Sequence, residues 1–196
     1  LELVMLGIVL LQSSAPPEED SPPIDKLLEG VHTKAGDLLV LPELFTETRI
    51  KPPVLKKLFR HLGRLCRQRS MSLVAGSVYE VQGNRTYNTC FTFNRTGKAV
   101  GRYRKMHLGI YEHGLTPGNE MGIFDLEGTK IGIGLCWDVW FPEYWRLLRH
   151  QGARLFVLPS YFEEDRSEQF ITLAKARALE NQVPLALCNR PGKGAG

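Results

Sequence analysis

The chain reads as an α/β protein in which helices cover a mixed sheet, and three features of the sequence predict this. Short apolar runs of strand length alternate with stretches whose apolar residues recur at helical spacing. Between residues 72 and 103 the strands follow one another through tight turns, as in a meander. At 196 residues and 43% hydrophobic content, the chain can bury a substantial core, and it predicts a single domain over 1–196.

The elements follow in order. Residues 1–11 are apolar apart from Glu2 and Gly7, too short to span a bilayer and without a basic leader or cleavage site. They are read as a buried first strand. The Pro-, Ser- and acid-rich stretch 13–23 is a loop, after which Ile24, Leu27, Leu28 and Val31 predict a short helix. The continuous apolar run 37–42, ended by Pro42, predicts a strand covered on both faces. Leu55, Leu58, Phe59, Leu62, Leu65 and Cys66 form one helical stripe, and Pro52-Pro53 set its start. Strands are expected over 72–81, 87–93 and 99–103, with turns at Gly83-Asn84 and Asn94 to Gly97. A Gly- and Pro-rich loop covers 109–122, and a strand pair over 122–126 and 130–135 turns at Glu127-Gly128. Pro142 begins a helix ending near Gly152; 154–159 is a strand, 170–178 a helix and 185–189 a last strand.

The net charge of +4 is mild and its basic residues read as scattered, which predicts no nucleic-acid partner; no membrane partner is expected either. Cys66, Cys90, Cys136 and Cys188 lie far apart with no metal-finger spacing, so a reduced, cytoplasmic protein is expected and no metal or other cofactor. Sequons at Asn84 and Asn94 matter only for a secreted chain.

Three reactive residues stand just past apolar strands: Glu43, Lys105 and Cys136. In α/β sheets catalytic groups gather at strand ends. A carboxylate can take a thiol proton and later activate water, while an ammonium can lower the thiol pKa and hold an oxyanion. Cys136 is expected to be an outward-facing thiol at a strand-to-helix turn, where the helix dipole favours a thiolate. Taken singly, each has an ordinary alternative: a loop acid, a solvated lysine, a core thiol.

Leu41-Pro-Glu-Leu-Phe45, Tyr103-Arg-Lys-Met-His-Leu108 and Gly134-Leu-Cys-Trp-Asp-Val-Trp-Phe-Pro-Glu143 together resemble the three signature segments of the nitrilase superfamily of carbon–nitrogen hydrolases. Leu158-Pro-Ser160 and Ala176-Arg-Ala-Leu-Glu-Asn-Gln182 add to the resemblance, and the set runs in family order. It implies a four-layer αββα sandwich of the nitrilase type, with Glu43 as general base, Lys105 as oxyanion cation and Cys136 as nucleophile. It further implies the Trp137 N–H as second oxyanion donor and Glu112 as a fourth site residue, with Glu120 as its rival. Tyr111, Trp137, Tyr161 and Phe162 are candidates for the pocket wall. Asp138 is expected to hold the nucleophile turn by a local hydrogen bond. Arg177, Glu180 and Asn181 are read as a buried polar network or a subunit contact.

The implied activity is an amidase-type hydrolase of a small amide or N-carbamoyl amine. It would act with water through a Cys thioester, releasing ammonia or an amine, and would work as a homo-oligomer. The alternatives are a catalytically silent scaffold subunit, or an N-acyltransferase or nitrilase using the same three residues. The family fold continues past the Cys-Asn-Arg at 188–190 with strands that complete the second sheet, so this chain is expected to lack C-terminal strands and expose a sheet edge.

Overall fold

The computed structural model describes residues 7–11, 28, 30–46 and 49–190. Among them are strands β1 (Ile8–Leu10), β2 (Leu38–Val40), β3 (Arg49–Ile50), β4 (Ser72–Val74), β5 (Val78–Gln82) and β6 (Arg85–Phe93). They continue as β7 (Ala99–Arg104), β8 (Ile123–Leu126), β9 (Thr129–Ile133), β10 (Leu155–Tyr161) and β11 (Leu185–Arg190). Among the described residues, α1 (Pro52–Arg69), α2 (Pro142–His150) and α3 (Ser167–Asn181) are the α-helices that lie between them.

Two sheets form. One runs β1-β2-β4-β6-β5-β3 with β7 also paired to β6; the other runs β11-β10-β9-β8. Period-two alternation tells why they stack. Leu38 and Val40 of β2 join the core shared with Ile131, Ile133 and Val157 of the second sheet. Leu39, Leu41, Leu73, Phe91 and Phe93 turn the other way, onto Leu62, Leu65 and Cys66 of α1. Phe59 of α1 meets Phe91 and Phe93 edge-on, with ring centroids at 4.7 and 5.3 Å. On the far side Trp145 of α2 packs on Phe156 of β10 at 5.0 Å. The order is helix, sheet, sheet, helices: the four layers expected.

α1 begins on Pro52-Pro53 and ends at Ser70, whose φ of +49° is the left-handed cap that turns the chain into β4. Its outward face gathers Lys56, Lys57, Arg60, Arg64 and Arg67, and the helix contains no acidic residue. The basic side chains are therefore less evenly spread than their scatter along the sequence suggests. No helix among the described residues is long and apolar enough to cross a membrane.

Two expectations need amending. The described part of the first strand is not buried: Ile8 and Leu10 are 38% and 43% exposed, because β1 pairs only with β2 at the sheet's edge. The single strand expected over 72–81 is two, β4 and β5, both lying along β6. The chain breaks at Gly76, where φ is +42° and a Cβ would run into the Pro42 carbonyl. Only glycine lets the chain pass that close. The helix expected over 24–31 lies largely outside the described residues.

Candidate active site

β2 is buried to its last residue, and Leu41-Pro42 carry the chain on to Glu43, which is 3% exposed. The next residue, Leu44, has φ +48° and is held on both sides. Its N–H donates to Ser77 Oγ at 3.0 Å, and its carbonyl accepts from Arg190 Nη1 at 2.6 Å. Lys105 follows β7 directly; its N–H donates to the Asn88 carbonyl at 2.9 Å, which extends the ladder by one residue. Glu112 closes a turn on Gly109: its N–H donates to the Gly109 carbonyl at 3.0 Å, and Gly109 N–H returns a bond of 2.6 Å to Glu112 Oε2.

Cys136 opens a 3-10 turn, Cys136–Trp140, rather than a helix; α2 starts only at Pro142. Its φ of +38° is a strained position for a residue with a Cβ, of the kind that collects at functional sites. Asp138, fully buried, holds that turn. Its Oδ2 accepts from Leu135 N–H and from the Tyr103 hydroxyl, each at 2.7 Å. Its Oδ1 accepts from the His107 N–H at 3.1 Å and pairs with His107 Nδ1 at 2.8 Å. The local bond expected of Asp138 is present, and the same carboxyl also ties the cysteine turn to the residues flanking Lys105.

The four side chains meet in one narrow cleft. Lys105 Nζ lies 2.9 Å from Glu43 Oε1 and 2.7 Å from Glu112 Oε2. Cys136 Sγ donates to the Tyr161 carbonyl at 3.7 Å, and the Glu43 charge acts on the same thiol. The walls add Leu44, Tyr79, Gly109, Trp137 and Tyr161.

Trp137 and Tyr161 thus stand where the pocket was expected, while two candidates do not. Tyr111 is 58% exposed, at the tip of the turn that sends Glu112 inward. Phe162 is buried and stacks on Phe170 at 4.2 Å, on the opposite side from its neighbour Tyr161. Glu120 does not line the cleft. Arg177, Glu180 and Asn181 do form a partly buried network. Arg177 Nη1 lies 2.9 Å from Glu180 Oε1 and its Nε 2.9 Å from the Val139 carbonyl, while Asn181 Nδ2 donates to the Arg177 carbonyl at 2.8 Å. The sequence reading missed Asn88, whose Nδ2 donates to Glu43 Oε1 at 2.8 Å and Glu112 Oε1 at 2.7 Å, and missed Tyr79. An Asn inside an apolar strand, with Cys90 on the same face, was the available signal, since a buried amide needs partners.

The electrostatics correct the expected thiolate. Burial, and then the Glu43 charge, push the Cys136 thiol well above its usual range; Lys105 pulls the other way and loses. Burial also raises Glu43, against the pull of Lys105. Burial alone would lower Lys105, yet Glu43 and Glu112 outweigh it and hold the ammonium above its usual range. At rest the site is a neutral thiol beside an ammonium committed to two carboxylates.

All four cysteines are buried free thiols. Burial pushes Cys66 and Cys188 up to about 12, and raises Cys90 and Cys136 too. Above about pH 8.5 the unfolded chain loses thiol protons that the folded chain keeps, so stability is intact below that pH and falls above it. The urea midpoint is expected to drop between pH 8 and 9.5 by the equivalent of about 1 kcal/mol per thiol. Cys90→Ala should flatten that slope; a midpoint independent of pH over the interval would contradict it.

Two stacked mixed sheets flanked by helices, with thiol, ammonium and carboxylates gathered where strands end, define an αββα sandwich protein with a buried Cys–Lys–Glu centre. The chain belongs to the carbon–nitrogen hydrolase family, whose sequence profile matches residues 11–194. It is similar to the 2-oxoglutaramate amidase of Bacillus subtilis (strain 168), 34% identical over 171 residues that cover 82% of this chain and 66% of that protein. It is 28% identical to the omega-amidase NIT2 of Xenopus tropicalis over 179 residues, covering 82% of this chain and 65% of that one. The chain therefore spans just under two thirds of the length of these curated relatives. Among solved structures it resembles Saccharomyces cerevisiae Nit3, a member of branch 10 of the nitrilase superfamily. That match has 28% identity and a TM-score of 0.80, over 94% of this chain and 75% of Nit3. It also resembles an amidase from Nesterenkonia sp., with 25% identity and a TM-score of 0.82 over 96% and 78% of the two chains.

Proposed function

We propose that this chain hydrolyses the carbon–nitrogen bond of small amides through a thioester on Cys136. The observation that carries this reading is the convergence of Glu43, Lys105 and Cys136 in one cleft. Glu43 takes the thiol proton as sulfur attacks the carbonyl carbon. The Lys105 ammonium and the Trp137 N–H hold the resulting oxyanion. Glu43 then passes the proton to the departing nitrogen, and ammonia or an amine leaves. Water, deprotonated by Glu43, attacks the thioester; the acid departs and the proton returns to sulfur. Glu112 holds Lys105 in place. A neutral resting thiol suits this cycle, because the proton that Glu43 needs for the leaving group is stored on sulfur beside it.

The wording around Cys136 favours N-carbamoyl amines and small aliphatic amides, whereas the relatives named above are an omega-amidase and a 2-oxoglutaramate amidase. ω-Amides are therefore the first substrates to try. We take the chain to act as a cytoplasmic homo-oligomer without metal or other cofactor, on its unpaired thiols and its family. Ammonia release is expected from one of the ω-amides, N-carbamoyl amines or nitriles. Hydroxylamine should divert part of the acyl group to hydroxamate. A natively folded protein that releases nothing from all three classes overturns the proposal.

A further inference from the structure

Asn88 stands in the middle of β6, away from the strand ends that supply the other groups, and is 1% exposed. Its Nδ2 bonds to Glu43 Oε1 and Glu112 Oε1 mirror those of Lys105 Nζ to Glu43 Oε1 and Glu112 Oε2. The four side chains close a ring in which both acids accept while the amide and the ammonium donate. The amide's orientation follows from chemistry, since turning Oδ1 inward would set lone pairs against lone pairs. Oδ1 itself is buried with no hydrogen-bond partner among the described residues. An unpaired buried acceptor is destabilising, so packing alone does not explain an asparagine here. A second cation at this position would cancel the remaining negative charge of the ring, whereas an amide grips both carboxylates and leaves one net charge for the base.

From this ring we propose that Asn88 is a positioning residue: with Lys105 it saturates Oε1 of Glu43 and so reserves Oε2 as the atom that takes the Cys136 proton. This rests on the amidase reading of the cleft. The groups facing Glu43 are Lys105 from the end of β7, Glu112 from the 109–112 turn and Cys136 from the 3-10 turn. Arg190 of β11 reaches the neighbouring Leu44 carbonyl. Among the influences on Glu43, burial raises its pKa most, Lys105 lowers it, Glu112 raises it, and the Asn88 bond lowers it. Losing the amide therefore moves the carboxyl further up.

The test compares Asn88→Leu, which keeps the shape without a donor, with Asn88→Ser, which keeps one donor. In Asn88→Leu the acidic limb of the kcat/KM profile should move up by about one pH unit, because hydrogen bonds to a carboxylate stabilise its charged form. At neutral pH kcat should fall about tenfold or more with KM nearly unchanged. Asn88→Ser should lie between that variant and the parent, and it carries the test alone if the leucine variant does not fold. A uniform loss at every pH, with the limb unmoved, would mean a merely structural role and overturn the proposal. Titration of the Glu43 carboxyl carbon by 13C NMR, assigned through Glu43→Gln, reads the same shift without any substrate. An inactive parent would therefore overturn the amidase reading while the NMR titration still decides the role of Asn88.

Discussion

Cys136→Ala is expected to lose amide hydrolysis by about 10⁴-fold or more while its thermal midpoint stays within about a few degrees of the parent. The two halves of this expectation have separate causes. In the proposed cycle the thiol is the one group for which water cannot substitute without a new route. Structurally, however, Sγ contributes little: its bond to the Tyr161 carbonyl is long, at 3.7 Å, and the turn is held instead by Asp138. Cys136→Ser should be nearly as inactive, because Glu43 would have to take a proton from an alcohol, far less acidic than a thiol. Since burial and the Glu43 charge raise the thiol, Cys136 alkylation by iodoacetamide should keep climbing past pH 9 instead of levelling off below neutrality. Steady-state ammonia release and calorimetry check both halves. Turnover retained in Cys136→Ala would sink the thioester mechanism.

The acidity of the Cys136 thiol marks the limit of what local sequence could tell. A thiol past an apolar strand, with a lysine expected nearby, argued for a lowered pKa. Two facts of assembly reverse the sign: the thiol is buried, and the Glu43 charge beside it adds to the rise and outweighs the pull of Lys105. Positions set by the chain's own period were legible. The stripe of α1, the run into Glu43 and the step from β7 to Lys105 all depend on neighbours in sequence. Positions set by pairing between strands were not. Asn88 reaches the acids only because β6 lies between β5 and β7, and the exposure of β1 depends on its having a single neighbour. Tyr111 and Phe162 failed as pocket residues for a related reason. Each lies next to a residue that does face the cleft, and one step along a turn or a strand reverses the direction of a side chain.

Lys105→Met should damage both stability and catalysis, and the two losses can be separated. Removing the ammonium leaves Glu43 and Glu112 facing each other in a site where each is less than a tenth exposed. Breaking a buried pair by deleting one partner typically destabilises by about 3–5 kcal/mol. The Glu43 carboxyl, raised by burial and freed of the opposing pull of Lys105, responds by holding its proton to higher pH than in the unfolded chain. Its contribution to the variant's stability should therefore be intact below about pH 4.3 and lost as pH rises through its folded pKa. Lys105→Met with Glu112→Gln removes one of the two facing charges and should recover much of the stability. It should recover none of the activity, because the oxyanion still lacks its cation, a loss of about 3 kcal/mol in transition-state stabilisation. Lys105→Arg keeps the charge but presents a broad planar fork where a compact ammonium fits between two carboxylates, so it should restore part of the stability and little of the rate. Urea titrations across pH and kcat/KM on the same samples read the two effects. If the double variant regained activity together with stability, Lys105 would be a structural counter-ion and the oxyanion would have to be held elsewhere.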